Sequence, residues 1–273
     1  MRCLYREKRF VCGDFLEVDV FPVFKKPGAR GKRAKPTSAV QERLNQRNAE
    51  RKLIRLLNAN FTEDDIRFDL TYSNDNYPES PEAAQRQVQN FLRRVKRQRI
   101  KLHLPDLKYV FVTEIGERDG RLHHHIVMSG GMSINLLAKL WGKGYTTAKP
   151  LQFDEFGIVG IAVYLIKNPI LGKRWCASRN LVQPKESQRD GRISQKEVRD
   201  IAVSPNDAKK QIEKHYEGYL LSDIHPFYNE VNGGWYLCIR MRRKPPPKKG
   251  RNNERKNKKT DRTFNDSNLH RKR

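Results

Sequence analysis

The residues with the clearest chemical potential in this chain are two histidines and a glutamate. His123 and His125 lie two positions apart in RLHHHIVMS at 121–129, and side chains two apart in a strand project from the same face. Glu114 lies near the end of the strand-like segment KYVFVTEI at 108–115, and the short turn GERDG makes the two segments an antiparallel hairpin. Two imidazoles and one carboxylate suit a divalent cation and leave coordination positions for phosphate oxygens.

The histidine between these two is assigned to packing. His124 points to the opposite face by the same alternation, and its neighbours Leu122 and Ile126 are apolar. A run of three histidines can also form a polar surface patch, and an arginine can neutralise a buried Glu114. The residues alone leave both structural alternatives open.

A candidate nucleophile lies further along the chain. The segment 157–168 is apolar and precedes Pro169, which predicts a helix carrying the sequence YLIK. Tyr164 and Lys167 are three apart, so the phenol and the ammonium share a helix face and could meet the same phosphate. A phenol can act as a covalent nucleophile when a nearby cation stabilises the developing charge. The Tyr-x-x-Lys pattern is common in proteins. It supports a nucleophile here only because it follows the hairpin in the chain.

Regular elements surround these residues in a recognisable order. A strand is predicted at 66–72, and a helix is predicted to begin at Ser80 and Pro81, because serine is a good N-cap and proline a good first helical residue. After the hairpin come a helix at 134–141, a strand within 145–153 and the helix at 157–168. This order predicts an α+β, ferredoxin-like βαββαβ fold with an antiparallel central sheet. We expect helices on one face and an open second face for the substrate.

The flanks give weaker signals. Residues 27–36 read as a flexible basic arm, and residues 183–192 as a polar loop. A helix is predicted from Ser204 to about residue 217, a last strand at 233–241, and disorder from Lys244 onward. The predicted organisation has four parts: an N-terminal basic arm and helix (1–60), a catalytic domain (61–182), an α+β extension (183–241) and a disordered basic tail (242–273).

Charge points to a polyanionic partner. The 273 residues carry a formal charge of +25, concentrated in segments 25–56, 86–108 and 240–273, whose net charges are +9, +7 and +12. Basic segments flanking a nearly neutral body suit phosphate contacts on one set of surfaces and chemistry on another. The four cysteines form no CxxC pair, and no apolar run is long enough for a membrane span or an export signal. We therefore expect a cytoplasmic protein with no membrane partner.

Three ordered motifs resemble those of HUH-class rolling-circle replication initiators of plasmids and small single-stranded DNA phages. They are FDLTYS at 68–73, Glu114 with LHHHI at 122–126, and YLIK at 164–167. The resemblance implies Mg²⁺ or Mn²⁺ at Glu114, His123 and His125. It also implies Tyr164 joined to the 5′-phosphate of a nicked origin, assisted by Lys167. The host compartment would be the bacterial cytoplasm.

Two departures qualify the resemblance. The third motif has one tyrosine where some relatives have two, so termination is expected to need a second subunit or a second visit. No GxxxxGK[ST] loop is present, so the partners are expected to include a separate helicase and polymerase besides single-stranded and origin DNA. Tyr72, in the first motif, is a candidate for DNA stacking, although a core aromatic is the preferred interpretation.

Two other functions remain as alternatives. A non-catalytic binder of single-stranded DNA or RNA could use the same sheet, but it would need exposed aromatics on the central strands. A transposase or a mobilisation relaxase would share the metal chemistry. Mobilisation relaxases commonly place their tyrosine before the histidine pair, which makes the transposase the closer rival.

The charge distribution predicts the effect of truncation. Deleting residues 244–273 should weaken DNA binding and flatten its salt dependence, because that segment supplies many of the groups that neutralise phosphates. Binding constants measured over a range of salt concentrations test this, and an unchanged slope would assign the tail another role.

Overall fold

The computed structural model of the chain describes residues 4–24, 39–116, 119–166, 174–230 and 233–245. The predicted basic arm at 27–36 and most of the predicted tail lie outside these ranges. The helices are α1 (Ala39–Asn58), α2 (Pro81–Lys101), α3 (Ile134–Trp141), α4 (Val159–Ile166), α5 (Gln195–Val203) and α6 (Lys209–His215). The strands are β1 (Leu4–Cys12), β2 (Phe15–Val23), β3 (Ile66–Leu70), β4 (Tyr109–Ile115), β5 (Leu122–Met128), β6 (Thr146–Pro150), β7 (Cys176–Ala177), β8 (Lys185–Asp190), β9 (Tyr219–Asn229) and β10 (Gly234–Arg243).

The strands form two antiparallel sheets. Sheet I has the order β6-β3-β5-β4-β7, and sheet II has the order β8-β1-β2-β10-β9. In sheet I, β3 and β4 both run antiparallel to β5, which lies between them, and β5 and β6 both run antiparallel to β3. These are two interlocked split βαβ units, so the predicted α+β, ferredoxin-like arrangement is confirmed.

Local sequence explains the boundaries around sheet I. Ser80 accepts a hydrogen bond from the Ala83 N–H at the start of α2, and Pro81 is its first residue. Ser133 caps α3 in the same way, and Gly142 ends that helix with a φ of 61°, in the left-handed region that glycine adopts without strain.

Both faces of sheet I carry a core. One face packs on α2 and α3, with Phe68, Phe91 and Trp141 fully buried among them. On the other face α1 and α4 cover Val110, Val112 and Val127. The covering side chains come from α1, from α4 and from the residue just before α4, and they include Leu53, Leu57, Ile158, Ala162 and Leu165. The expectation of an open second face is therefore wrong for this part of the sheet. The run YVFV in β4 is apolar at every position, and such a strand needs burial on both sides.

Sheet II contains several elements that the sequence analysis does not anticipate. The prediction of an arm and a helix for residues 1–60 omits the β1–β2 hairpin, and the loop predicted at 183–192 is largely β8. All six residues of this strand are exposed. It pairs antiparallel with β1, and Arg6–Asp190 and Lys8–Glu186 ion pairs join the two strands. A strand with no buried side chain shows no hydrophobic alternation, which explains the missed prediction.

The C-terminal helices and strands complete sheet II. The predicted last strand is confirmed as β10, and the helix predicted from Ser204 is shorter, as α6. The additional helix α5 begins with a capping box formed by Ser194 and Glu197. Both helices pack on one face of sheet II against residues such as Val18, Leu237 and Ile239. Across the described residues, no helix combines the length and apolar character that a membrane span requires.

Helix α1 connects the two sheets. Leu53 and Leu57 pack on sheet I, while the Arg55 guanidinium faces sheet II, where it bonds Glu17 at 2.8 Å and Asp19 at 2.9 Å. The same guanidinium lies 3.5 Å from the ring centroid of Phe10. Only 4% of the Glu17 side chain is exposed, so this carboxylate depends on Arg55 for its neutralisation.

Removing Arg55 should therefore destabilise the protein. Arg55→Ala is expected to lower the free energy of unfolding by about 3 kcal/mol, because it leaves a buried carboxylate unpaired. The matched control is Arg243→Ala, which removes an ion pair to Asp14 whose side chains are 53% and 79% exposed. That loss should stay below about 1 kcal/mol. Urea denaturation of both variants makes the comparison, and equal losses would contradict the proposed role of Arg55.

Candidate functional site

The central strand β5 places the candidate metal ligands. His123 is paired with Glu114 across the β4–β5 register, and His125 lies one pleat further along β5. Glu114 Oε1 is 3.2 Å from His123 Nε2 and 2.7 Å from His125 Nε2. One potential ligand atom from each of the three residues lies within 4.8 Å of the others. The structure thus brings together all three residues that the sequence analysis selected as ligands, and we call them the metal cluster.

A fourth residue, Asp69 on β3, orients the cluster. Its Oδ1 lies 2.6 Å from His125 Nδ1, and it also accepts a 2.8 Å hydrogen bond from Arg67 Nε. A carboxylate that accepts the Nδ1 proton of an imidazole fixes the tautomer and leaves Nε2 available as a metal ligand. Asp69 therefore supports His125 from the side opposite Glu114.

The electrostatics of the cluster favour a cation. Burial opposes the charged form of Glu114, but the hydrogen bonds from His123 and His125 prevail and lower the pKa of the carboxyl to about 2. Burial likewise disfavours charge on His125, but its hydrogen bonds with Asp69 and Glu114 raise the pKa of this imidazole above its ordinary value. Two carboxylates around one imidazole therefore attract positive charge. A divalent cation would neutralise these carboxylates, and its binding would displace a proton from the site.

The middle histidine belongs to the core on the other face. His124 is fully buried, and its two ring nitrogens lie 2.7 Å from the Tyr72 hydroxyl and 2.8 Å from Thr113 Oγ1. Burial lowers the pKa of His124 to about 3, which keeps the ring neutral in this apolar setting. The assignment of His124 to packing is confirmed. Tyr72 is also buried, so the preferred interpretation of a core aromatic is confirmed and the stacking alternative is wrong.

Helix α4, which carries Tyr164, is held over the cluster-bearing face of sheet I. The Ile158 N–H donates to Asn58 Oδ1 at 3.0 Å, which ties the start of α4 to the end of α1. Gly157 precedes it with a φ of 87°, and a Cβ there would lie 2.5 Å from the Asn58 side chain. Glycine is therefore required at this position. Tyr164 lies within α4, whereas Lys167 lies outside the described residues, so their roles stay predictions.

The sequence analysis missed Asp69, although it lies within the motif FDLTYS. A signal was available: Asp69 lies on the polar side of a predicted strand, inside one of the three motifs, and its neighbour Phe68 lies on the apolar side. Without the strand order, however, nothing indicated that β3 lies beside β5. The register Asp69↔His125 is a property of the assembled sheet.

The candidate site lies within a region that matches a known protein family. Residues 67–168 match the model of a replication-associated protein family. The matched stretch runs from β3 to the end of α4, so it contains Asp69, the metal cluster and the Tyr-x-x-Lys motif. No curated protein and no solved structure gives a significant match. The family match confirms the resemblance to rolling-circle replication proteins and supports a role as a replication initiator.

The orienting role of Asp69 predicts weaker metal binding when its charge is removed. Asp69→Asn should reduce Mn²⁺ affinity about 10- to 100-fold, because the His125 ring loses the carboxylate that fixes its tautomer. The control Asp207→Asn removes one negative charge from an exposed residue next to α6. Isothermal titration calorimetry with Mn²⁺ measures both, and equal affinities for the two variants would show that Asp69 does not support the site.

Proposed function

We propose that this chain, whose candidate site lies in a region matching the replication-associated protein family, is a site-specific, metal-dependent endonuclease and ligase for single-stranded DNA. It would initiate rolling-circle replication by nicking the origin and forming a 5′-phosphotyrosine. The observation that carries this proposal is the convergence of Glu114, His123 and His125 within 4.8 Å on the sheet face that α4 covers.

The donor set fits Mg²⁺ or Mn²⁺. One carboxylate oxygen and two imidazole nitrogens form a partial ligand set, so positions stay open for phosphate oxygens and water. About one fifth of the His123 side chain and 13% of the Glu114 side chain are accessible, which leaves a route to solvent for a bound phosphate. When bound, the cation would draw negative charge from the non-bridging oxygens of the scissile phosphate.

The residues of the chain supply the nucleophile and its support. The Tyr164 oxygen would bond to phosphorus while the bond to the 3′ oxygen breaks, and on balance the phenol proton passes to that oxygen. Lys167 would stabilise the charge that develops on the phosphate. Asp69 holds the His125 ring in position throughout. The released 3′-hydroxyl would serve a separate polymerase as primer, and a separate helicase would unwind the duplex.

The proposed phosphotyrosine is what would allow the protein to rejoin DNA strands as well as to cut them. A phosphotyrosine retains the phosphodiester bond energy, so attack by a 3′-hydroxyl on the same phosphorus can rejoin strands without a nucleotide cofactor. Hydrolysis by water would lose that capacity. Origin DNA and single-stranded DNA are therefore the proposed substrates.

The non-catalytic binder is the weaker alternative on structural grounds. It needs exposed aromatic rings on the central strands. Phe111 on β4 is 2% exposed and Tyr109 is half-buried, and both pack in the core beneath α2 and α3. The partly accessible polar side chains of β4 and β5 are Glu114 and His123 of the metal cluster.

Removing the phenolic oxygen of Tyr164 tests the proposed nucleophile. Tyr164→Phe should abolish a denaturant-resistant protein–DNA adduct, because it removes the attacking atom and keeps the ring. Lys167→Ala should slow adduct formation by about 100-fold, since it removes a stabilising charge but no bond-forming atom. A 3′-labelled single-stranded oligonucleotide library with Mn²⁺ provides the substrate, because the label stays with the fragment joined to tyrosine.

The matched control is Tyr228→Phe, which alters an exposed tyrosine on β9 of sheet II and should leave the adduct unchanged. Peptide mapping of the wild-type adduct identifies the modified residue. Cleavage without an adduct, or an adduct on a residue other than Tyr164, would refute the proposed nucleophile.

A further inference from the structure

Within the described part of the chain, no strand pairs with the outer side of β6, so sheet I has a free edge near the metal cluster. β6 is the edge strand next to β3, and its alternate side chains Thr147 and Lys149 are exposed, whereas Ala148 between them packs in the core under α2 and α3. By alternation, Thr147 and Lys149 project from the face that carries the metal cluster. Helices α1 and α4 cover the β4 and β5 part of that face, as described above, and leave this outer part accessible.

Tyr145 extends the exposed positions by one more pleat. It immediately precedes β6, and its carbonyl accepts hydrogen bonds from the Thr71 N–H at 3.0 Å and the Thr71 hydroxyl at 3.1 Å. The register continues from Leu70, which pairs with both Thr146 and His124. Tyr145, Thr71, His123 and Glu114 therefore form one row across four strands. Strands are about 4.8 Å apart, so Tyr145 lies about 10 Å from His123.

Among the described residues, the Tyr145 ring has no structural partner that would explain its position. At 82% exposure it is the most exposed large hydrophobic side chain among the described residues. Over the same part of the chain its side chain makes no hydrogen bond or ring contact. Packing therefore does not account for an aromatic residue here, in the same row as two residues of the metal cluster.

Charge on this strip matches a nucleic-acid backbone. Lys149 has no ion pair within the described ranges, and its neighbour across the β3–β6 register is Arg67. The two basic residues lie two pleats from Tyr145, roughly 13 Å along the strand. An exposed ring at one end and a lysine at the other are what a single strand needs, since bases stack on aromatics while phosphates contact cations.

We propose that Tyr145, Thr147 and Lys149 form an edge strip on which the substrate strand lies beside the metal cluster. One nucleobase stacks on the Tyr145 ring, and a phosphate contacts the Lys149 ammonium. The inference rests on the proposed function for its substrate class, single-stranded DNA. It adds a binding surface and two positioning residues to that function.

Binding in a chelator tests the strip without any cleavage. The full chain is titrated into a short fluorescein-labelled oligothymidylate in EDTA, and anisotropy reports the dissociation constant. Tyr145→Ala should weaken binding about 5- to 100-fold, the range expected for the loss of one stacked base. Tyr145→Phe should stay within about twofold of wild type, because stacking needs the ring and not the hydroxyl.

Matched variants separate stacking from charge. Tyr228→Ala truncates a tyrosine that is 45% exposed on sheet II and should bind as wild type does. Lys149→Ala should lower the slope of log K against log salt by about 0.7, the contribution of one phosphate contact to a single strand. Tyr145→Ala should leave that slope unchanged. Both residues are exposed, so unchanged melting temperatures are expected for the variants.

The outcomes distinguish this inference from the proposed nicking activity. Tyr145-dependent binding by a protein that forms no adduct with Mn²⁺ would support the strip and refute the nuclease. If the wild-type protein forms the adduct, but the Tyr145→Ala and Lys149→Ala variants each bind DNA as tightly as wild type does, the strip would be overturned and the nuclease would not. Equal losses for Tyr145→Phe and Tyr145→Ala, or an equal dependence on Tyr145 for duplex DNA, would also overturn it, because paired bases do not offer a free face to the ring.

Discussion

The pleat of one central strand controls the candidate site. β5 carries three consecutive histidines, and the alternation of side chains sends the outer two to one face and the middle one to the other. His124 is thereby neutral and buried between Tyr72 and Thr113, while its neighbours meet Glu114. The bonds of the middle histidine fix the register of the strand. A shift by one residue would place two imidazoles in the core and leave one for the metal cluster.

Helix α1 joins sheet I, which contains β5, to sheet II and to the start of α4. Its apolar side packs on sheet I, its Arg55 neutralises buried Glu17 of sheet II, and Asn58 at its end holds the start of α4. The helix carrying Tyr164 is thus positioned through α1. Sheet II, built from the first and last described strands, stabilises this arrangement from outside the region that matches the replication-associated family.

The proposed DNA binding and the proposed chemistry would use different groups of this protein. The three basic segments carry most of the positive charge, while the metal cluster and Asp69 form an acidic patch that attracts a cation. In the proposed function a polyanionic strand would be attracted to the basic segments, and a bound cation would offset the repulsion between its phosphate and the carboxylates. This separation explains how a strongly basic protein can hold a site that requires two carboxylates.

The sequence by itself determined the elements of sheet I other than the short strand β7, and the three metal-ligand candidates, because hydrophobic period, caps and strand alternation are local properties that the residues show directly. The tertiary structure alone decided what lies beside them. Asp69 meets His125 only because β3 pairs with β5. The β1–β2 hairpin is local, but its place in sheet II depends on the pairing of β2 with β10 from the other end of the described chain. Strand β8 forms only because it pairs with the distant strand β1, and its six exposed side chains show no hydrophobic period from which a strand could be predicted.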